Sequence, residues 1–296
     1  MATFFYYNIQ ALPIEKDNDF IGDNGYKSLF TKLSKLIKAK MAKKELHKIA
    51  IPLRNDYYFV PTKIVIEDGY AYGYFRKYDK VDSLEEFYSE ENVFIGKKDQ
   101  LVSSRSFKFP FVFDFKTHIL AIGNKNSRLP NVNVLEEILG DFFTNFIYLE
   151  SKSHCIECIC LKEATSINTV LSAGKYKSIK TVITFSNPQD VEDYLDENII
   201  EEDLRNNSVN KLTTIHQSSK NGNMTGLTKL AEATFRLATK YGDATACYWS
   251  TVTNKFENFD LKDFPVKIPI LKKDESESTF FSKIRATITR ANQRTK

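Results

Sequence analysis

Apolar residues alternate on both sides of Asp114-Phe115-Lys116-Thr117 in the stretch FKFPFVFDFKTHILAIGN, residues 107–124. This is the pattern of two antiparallel strands joined by a short turn. Phe109, Phe111 and Phe113 fall on one face, and Ile119 is expected to join them. Asp114 opens the turn, where its carboxylate can accept from its own backbone and give the bend a local cause. A helix signal follows at once, so the hairpin is expected at the centre of a sheet with a helix across it.

The remaining pattern extends this picture in both directions. TFFYYNIQAL (3–12) reads as a buried first strand. From 26 to 47 the period changes, and Leu29, Leu33, Leu36, Ile37 and Met41 recur at helical spacing. Short strands are predicted at 49–53, 57–60, 63–67 and 70–76, with Pro61 at an edge or turn and Asp68-Gly69 as a two-residue hairpin turn. An acidic helix is predicted over 82–89 and a loop over 96–106. Asn133 can cap a helix over 131–146 that carries Val134, Ile138, Leu139 and Phe142. The pattern resets near 150–153. Beyond it, strands are predicted at 155–161, 178–185, 211–216 and 245–250. Helices are predicted at 165–173, from Asn187-Pro188 through an acidic stretch to 203, and at 224–241. Residues 252–275 read as irregular, and 276–293 as a last amphipathic helix through Phe280, Phe281, Ile284 and Ile288.

Strand runs mixed with helices at uneven spacing predict an α+β fold. We expect a mixed, largely antiparallel sheet with packed helices, followed by a second, smaller α+β unit. The expected division is an N-terminal α+β domain over 1–150, a middle α+β domain over 151–250, and a C-terminal segment and helix over 251–296.

A chain of 296 residues can bury a large core, and its richness in Phe and Tyr argues against disorder. No stretch approaches the ~20 apolar residues of a membrane span. The first residues lack a positive leader, so a cytoplasmic protein with no membrane insertion of its own is expected. Cys155, Cys158 and Cys160 crowd into one segment, which fits a reducing compartment rather than a disulfide framework.

The net charge of +4 is mild, and its placement matters more than its size. The 26–47 helix carries Lys27, Lys32, Lys35, Lys38, Lys40, Lys43 and Lys44 against a lone acid, Glu45, and Lys48 follows it. A lysine row can track phosphates, gaining affinity from released counterions without reading bases. The plain alternative is a solvated helix face. Lys283, Arg285, Arg290 and Arg294 repeat the theme in the last helix, where they also complement its dipole. The two basic helices are expected to converge into one continuous cationic strip. The acidic stretch 189–203 reads as solubilising surface, or as a partner for a lysine face in an oligomer.

Other chemistry is sparse. HCIECIC (154–160) offers no second pair of zinc ligands, and its alternation favours a buried strand with Cys158 and Cys160 on one face, so no metal is expected there. Asp114, Lys116 and His118 at the central turn match part of a metal-dependent nuclease core, which also needs another acid; Glu67 and Asp68 are candidates. No GxxxxGK[ST], GxGxxG, GxSxG or HExxH motif is present, and no cofactor is expected.

From Tyr57 to Phe143 the chain resembles the RexA-like phage-exclusion proteins. The likeness runs through the strand pair IVIEDGYAYGYF, a charged stretch, the FPFVF hairpin, the strand end AIGN and the helix VNVLEEILGDFF. FFYYNIQAL and FDFKTHILAI also look like bacterial proteins found among phage-defence genes. The resemblance implies a dimeric protein of phage exclusion or abortive infection that binds double-stranded DNA without strong sequence specificity. It also implies a possible partner protein from the same defence locus. In that family a middle domain sits between two parts of one globular domain, which implies that residues near 250–296 return to the first half. The expected protein is therefore an antiviral, non-enzymatic, homodimeric nucleic-acid binder. Two alternatives stand beside it: a metal-dependent nuclease around Asp114 and Lys116, and a non-enzymatic module that senses a phage protein.

Overall fold

The opening strand, β1 (Ala2–Pro13), is apolar on both faces, and that property sets the architecture. Phe4 and Tyr6 point to one side, Phe5, Tyr7 and Ile9 to the other, and all are buried. A strand buried on both faces requires a covering layer on each. A computed structural model of the chain describes residues 2–13, 22–96, 101–124, 127–150, 154–184, 209, 211–271 and 275–296. The acidic helix expected over 189–203 lies outside the described residues.

After β1 come α1 (Gly22–Ala42), a 3-10 turn (Leu46–Ile49), β2 (Ile51–Pro52), β3 (Tyr57–Glu67), β4 (Tyr70–Asp79), β5 (Ser83–Glu85) and β6 (Asn92–Ile95). The central hairpin is β7 (Ser106–Asp114) and β8 (Ile119–Asn124), followed by α2 (Val132–Glu150) and β9 (His154–Cys160). Next are α3 (Ala164–Leu171), β10 (Tyr176–Thr184), β11 (Lys211–Gln217), α4 (Lys229–Tyr241), β12 (Gly242–Ser250) and β13 (Lys255–Asp260). A second 3-10 turn (Leu261–Asp263), β14 (Lys267–Ile270) and α5 (Glu277–Gln293) complete the fold. The fold is α+β. An eight-stranded antiparallel sheet runs β14-β1-β8-β7-β4-β3-β2, with β9 also paired to β1. β14 pairs residues 2–5 of β1 and β9 pairs residues 7–13, end to end along the edge opposite β8.

The β7–β8 hairpin lies at the centre of this sheet as expected. Asp114 Oδ1 accepts from Thr117 N at 3.0 Å and from Thr117 Oγ1 at 3.1 Å, the local cause of the bend. One side-chain assignment differs. The turn places Ile119 opposite Asp114, on the face away from Phe113, so Ile119 packs with Phe4, Tyr6 and Val112. Leu120 and Ile122 join Phe109, Phe111 and Phe113 instead. α1 and α2 cover that phenylalanine face, and α5 covers the other through Phe280, Phe281, Ile284 and Ile288. At the β3–β4 turn Gly69 takes φ +79°, and a Cβ there would meet Arg285 Nη2 at 2.7 Å.

A second sheet, β11-β10-β12-β13, carries α3 and α4 on one face. β9, read from the sequence as opening this unit, belongs to the first sheet. Residues 82–89 form no helix: β5 and β6 make an exposed hairpin, since this stretch has no apolar stripe to bury. The segment read as irregular over 252–275 contains β13 and β14. α4 starts at Lys229 rather than 224, because Thr228 caps it by accepting from Ala231 N at 3.1 Å.

The two sheets meet at residues 161–164. Leu161 N donates to Tyr6 O at 2.8 Å, Lys162 N to Thr239 O at 2.8 Å and Ala164 N to Arg294 O at 2.7 Å. Lys162 is buried; its ammonium donates to Gly242 O at 2.8 Å and lies 2.8 Å from Asp243 Oδ1. Burial works to lower its pKa, but Glu136 and Asp243 outweigh that, and the net shift is upward.

Candidate nucleic-acid interface

α1 forms because one side of it is apolar and that side has a sheet to cover. Tyr26, Leu29, Phe30, Leu33 and Ile37 are buried, and Phe30 stacks on Phe113 at 4.5 Å. Tyr26 Oη accepts from Ala11 N at 2.9 Å and donates to Ile9 O at 3.0 Å, while Ser34 Oγ donates to Ile64 O at 2.9 Å. Met41, expected in the apolar stripe, is 51% exposed, beyond the end of the packing. These anchors turn Lys27, Lys35 and Lys38 to solvent, and Lys43 and Lys44 follow at the exposed C-terminal end.

The lysines are not equivalent. Glu45 holds two of them, Lys40 at 3.1 Å and Lys48 at 2.5 Å. The hydrogen bonds from Lys48 and then Lys40 pull the Glu45 carboxyl down to about 2. Lys32 is half-buried. Among the described residues, no ion pair engages Lys27, Lys35, Lys38, Lys43 or Lys44.

The last helix does not join them. α1 covers the phenylalanine face of the large sheet and α5 covers the opposite face, so the expected single strip is not formed. The reason is the doubly apolar sheet, whose second face α5 is needed to cover. Three of its four expected cations are also engaged. Lys283 pairs with Glu275. Arg285 Nε donates to Asp114 Oδ2 at 3.0 Å, and its guanidinium lies 4.5 Å from the Tyr70 ring centroid. Arg294 pairs with Glu163 at 2.8 Å and donates to Lys267 O at 3.0 Å. Arg290 is exposed.

The other sequence candidates take structural places. Both Asp114 oxygens are engaged, one by Thr117 and one by Arg285, and His118 is buried with its ring 4.3 Å from Tyr26. Lys116 is exposed. No group of three or more His, Cys, Asp or Glu side chains among the described residues is placed to hold a metal ion. Cys158 and Cys160 share the buried face of β9, and burial pushes both thiols up, Cys160 to about 12. The side chains of His154 and Cys155 lie outside the described residues. Sequence reasoning passed over a second basic patch, on the small sheet, where Lys175 and Lys177 stand beside Trp249 and Phe256. Its signal was the pair of large aromatics flanking the β12–β13 turn.

Together the fold and the site define an α+β protein that displays one lysine-rich helix on a large antiparallel sheet. No helix among the described residues is long and apolar enough to cross a membrane. The chain belongs to the DUF4747 family, described as a domain of unknown function, whose profile matches residues 5–289. A comparison with curated proteins gives no match.

Proposed function

We propose that this DUF4747 chain is a sequence-tolerant nucleic-acid-binding protein of phage exclusion, acting on duplex DNA as a homodimer, with α1 as the contact surface. The observation that carries this reading is the set of exposed, unpaired cations on α1 and its C-terminal turn: Lys27, Lys35, Lys38, Lys43 and Lys44. Sixteen residues of helix span about 24 Å, which matches roughly seven phosphates along one strand. Lysine presents a point charge without the bidentate fork that reads a base edge, so affinity rather than sequence choice is its contribution. The setting in phage exclusion rests on the resemblance of the strand and helix pattern.

The test is a salt titration of duplex binding by fluorescence anisotropy. With four to five phosphates neutralised, log K should fall with log salt at a slope of about −4. Lys35, Lys38 and Lys43 face solvent, so the triple change to Glu leaves the fold intact and should flatten the slope by about 3. Equal binding by wild type and the triple variant refutes α1 as the surface. No nucleic-acid affinity in a folded, wild-type protein refutes the reading altogether and favours a phage protein as the ligand. Sedimentation with and without DNA measures the dimer.

A further inference from the structure

Among the described residues, helices cover one face of the small sheet and leave the other open. Tyr176, Ile179, Ala246 and Phe259 pack against α3 and α4. Residues of the opposite parity point away from those helices; Lys180 and Thr245 are exposed there, and Ile215 is 64% exposed. On this open face Trp249 of β12 stands in register with Phe256 of β13, their ring centroids 5.2 Å apart at 78°. Each ring has its own cation: Lys175 Nζ lies 5.8 Å from the Trp249 centroid and Lys177 Nζ 5.1 Å from that of Phe256. Lys177 sits at the β-bulge between Tyr176 and Ser178, and its ammonium also donates to Gly222 O at 2.8 Å. Trp249 N donates to Lys175 O at 2.9 Å. The rings and cations are therefore held in place by the sheet.

We infer that this face is a second binding site, for single-stranded nucleic acid, with bases stacking on Trp249 and Phe256 and phosphates meeting Lys175, Lys177 and Lys180. A sheet with helices behind it and aromatics on adjacent strands in front is a working platform for unpaired bases, and stacking tolerates any sequence. Charge selects the occupant. Asp243 and Asp260 lie at the far end of the strands, Asp243 tied to Lys162 and Lys262, and Asp260 accepting from Lys262 N. At the aromatic end Glu257 has the parity of the covered face and accepts from Tyr248 Oη and Thr253 Oγ1, which leaves Lys175 and Lys177 beside the rings of the open face. Lysine is depleted at protein–protein interfaces, which weighs against a protein partner. A duplex keeps its base faces stacked internally and cannot offer them to the rings. This site is independent of the α1 reading, and either can fail alone.

Trp249 is the only tryptophan of the chain, so its fluorescence reports the site directly. Titrating the full-length protein with a thymidine oligonucleotide should quench that emission, while a duplex of equal length should quench it far less. With a labelled oligonucleotide, Trp249→Ala with Phe256→Ala should weaken single-strand binding about tenfold or more and leave duplex binding unchanged. Trp249→Phe keeps a stackable ring in the same fold and should retain most of the affinity. Lys35/Lys38/Lys43→Glu should leave the quenching intact. Absence of quenching, equal quenching by duplex, or wild-type oligonucleotide affinity in the double alanine variant overturns the proposal. Equal quenching by phosphatidylserine vesicles also overturns it, in favour of a lipid surface.

Discussion

Lys162→Met tests the joint between the two sheets. Methionine keeps most of the volume of the lysine stem and removes the charge. The Gly242 carbonyl then loses the donor at 2.8 Å, and an unsatisfied buried acceptor costs about 1–3 kcal/mol. Asp243 keeps only Lys262, at 3.4 Å, and Glu136 loses the cation that offsets its burial. Removing one partner of a buried pair costs about 3–5 kcal/mol. The Asp243 side chain is 28% exposed and retains Lys262, so the low end applies, about 3 kcal/mol. Urea unfolding at pH 7 should show a lower midpoint with an unchanged slope. Adding Asp243→Asn should recover part of the loss, giving a coupling of about 1–2 kcal/mol in the double-mutant cycle. The pH dependence has a definite sign. The folded-state pKa of Lys162 lies above its ordinary 10.5, so its contribution is full below that value and disappears as pH rises through the folded pKa. Wild-type and Lys162→Met stabilities should therefore converge on the alkaline side. A variant within about 0.5 kcal/mol of wild type at pH 7, or strictly additive corners of the cycle, would refute the reasoning.

Three further outcomes rest on the same kind of reasoning. Arg285→Ala should cost about 1–2 kcal/mol, discounted because the arginine is 38% exposed, yet leave duplex affinity within twofold; a fivefold loss of affinity at unchanged stability would return Arg285 to the interface. Alkylation mapped by mass spectrometry should find Cys247 reactive in the native protein, and Cys158 and Cys160 protected until unfolding. Because burial raises the folded pKa of Cys160 from 9.0 to about 12, stability should fall by up to about 1.4 kcal/mol per pH unit above 9, and Cys160→Ala should make that slope shallower. An identical slope in the variant contradicts the assignment.

The elements legible in the sequence were those with a full period to display. The alternation of 107–124 and the helical spacing of 26–47 and 276–293 each expose a buried face long enough to count. β14 is hidden from a reading by periodicity because of Pro265 and Pro269. It pairs with β1 on one side only, so the amide missing at Pro269 can lie on the unpaired edge, while Ile268 and Ile270 still bury. Ile119 was misplaced because face assignment across a turn depends on how many residues the turn consumes. The candidate site was half legible. Periodicity placed the α1 lysines at the surface, but the partner of Arg285 lies 171 positions away, and no local pattern encodes that pairing.

A rule for reading charge follows from the two basic helices. Both carry a row of cations, and in sequence they look alike. α1 docks through Tyr26, Phe30, Leu33 and Ser34, apolar or neutral groups, so the packing itself engages none of Lys27, Lys35, Lys38, Lys43 and Lys44. α5 docks through its phenylalanines and also through Arg285 on Asp114 and Arg294 on Glu163. Charges spent on docking are unavailable to a polyanion, because releasing them means breaking the contacts that seat the helix. Binding capacity therefore follows the cations that remain after internal pairing is subtracted, and by that measure the exposed ammonium groups of α1 outrank the arginines of α5. The same subtraction singles out the aromatic end of the small sheet, where Lys175 and Lys177 stand beside Trp249 and Phe256 and Glu257 is held by Tyr248 and Thr253.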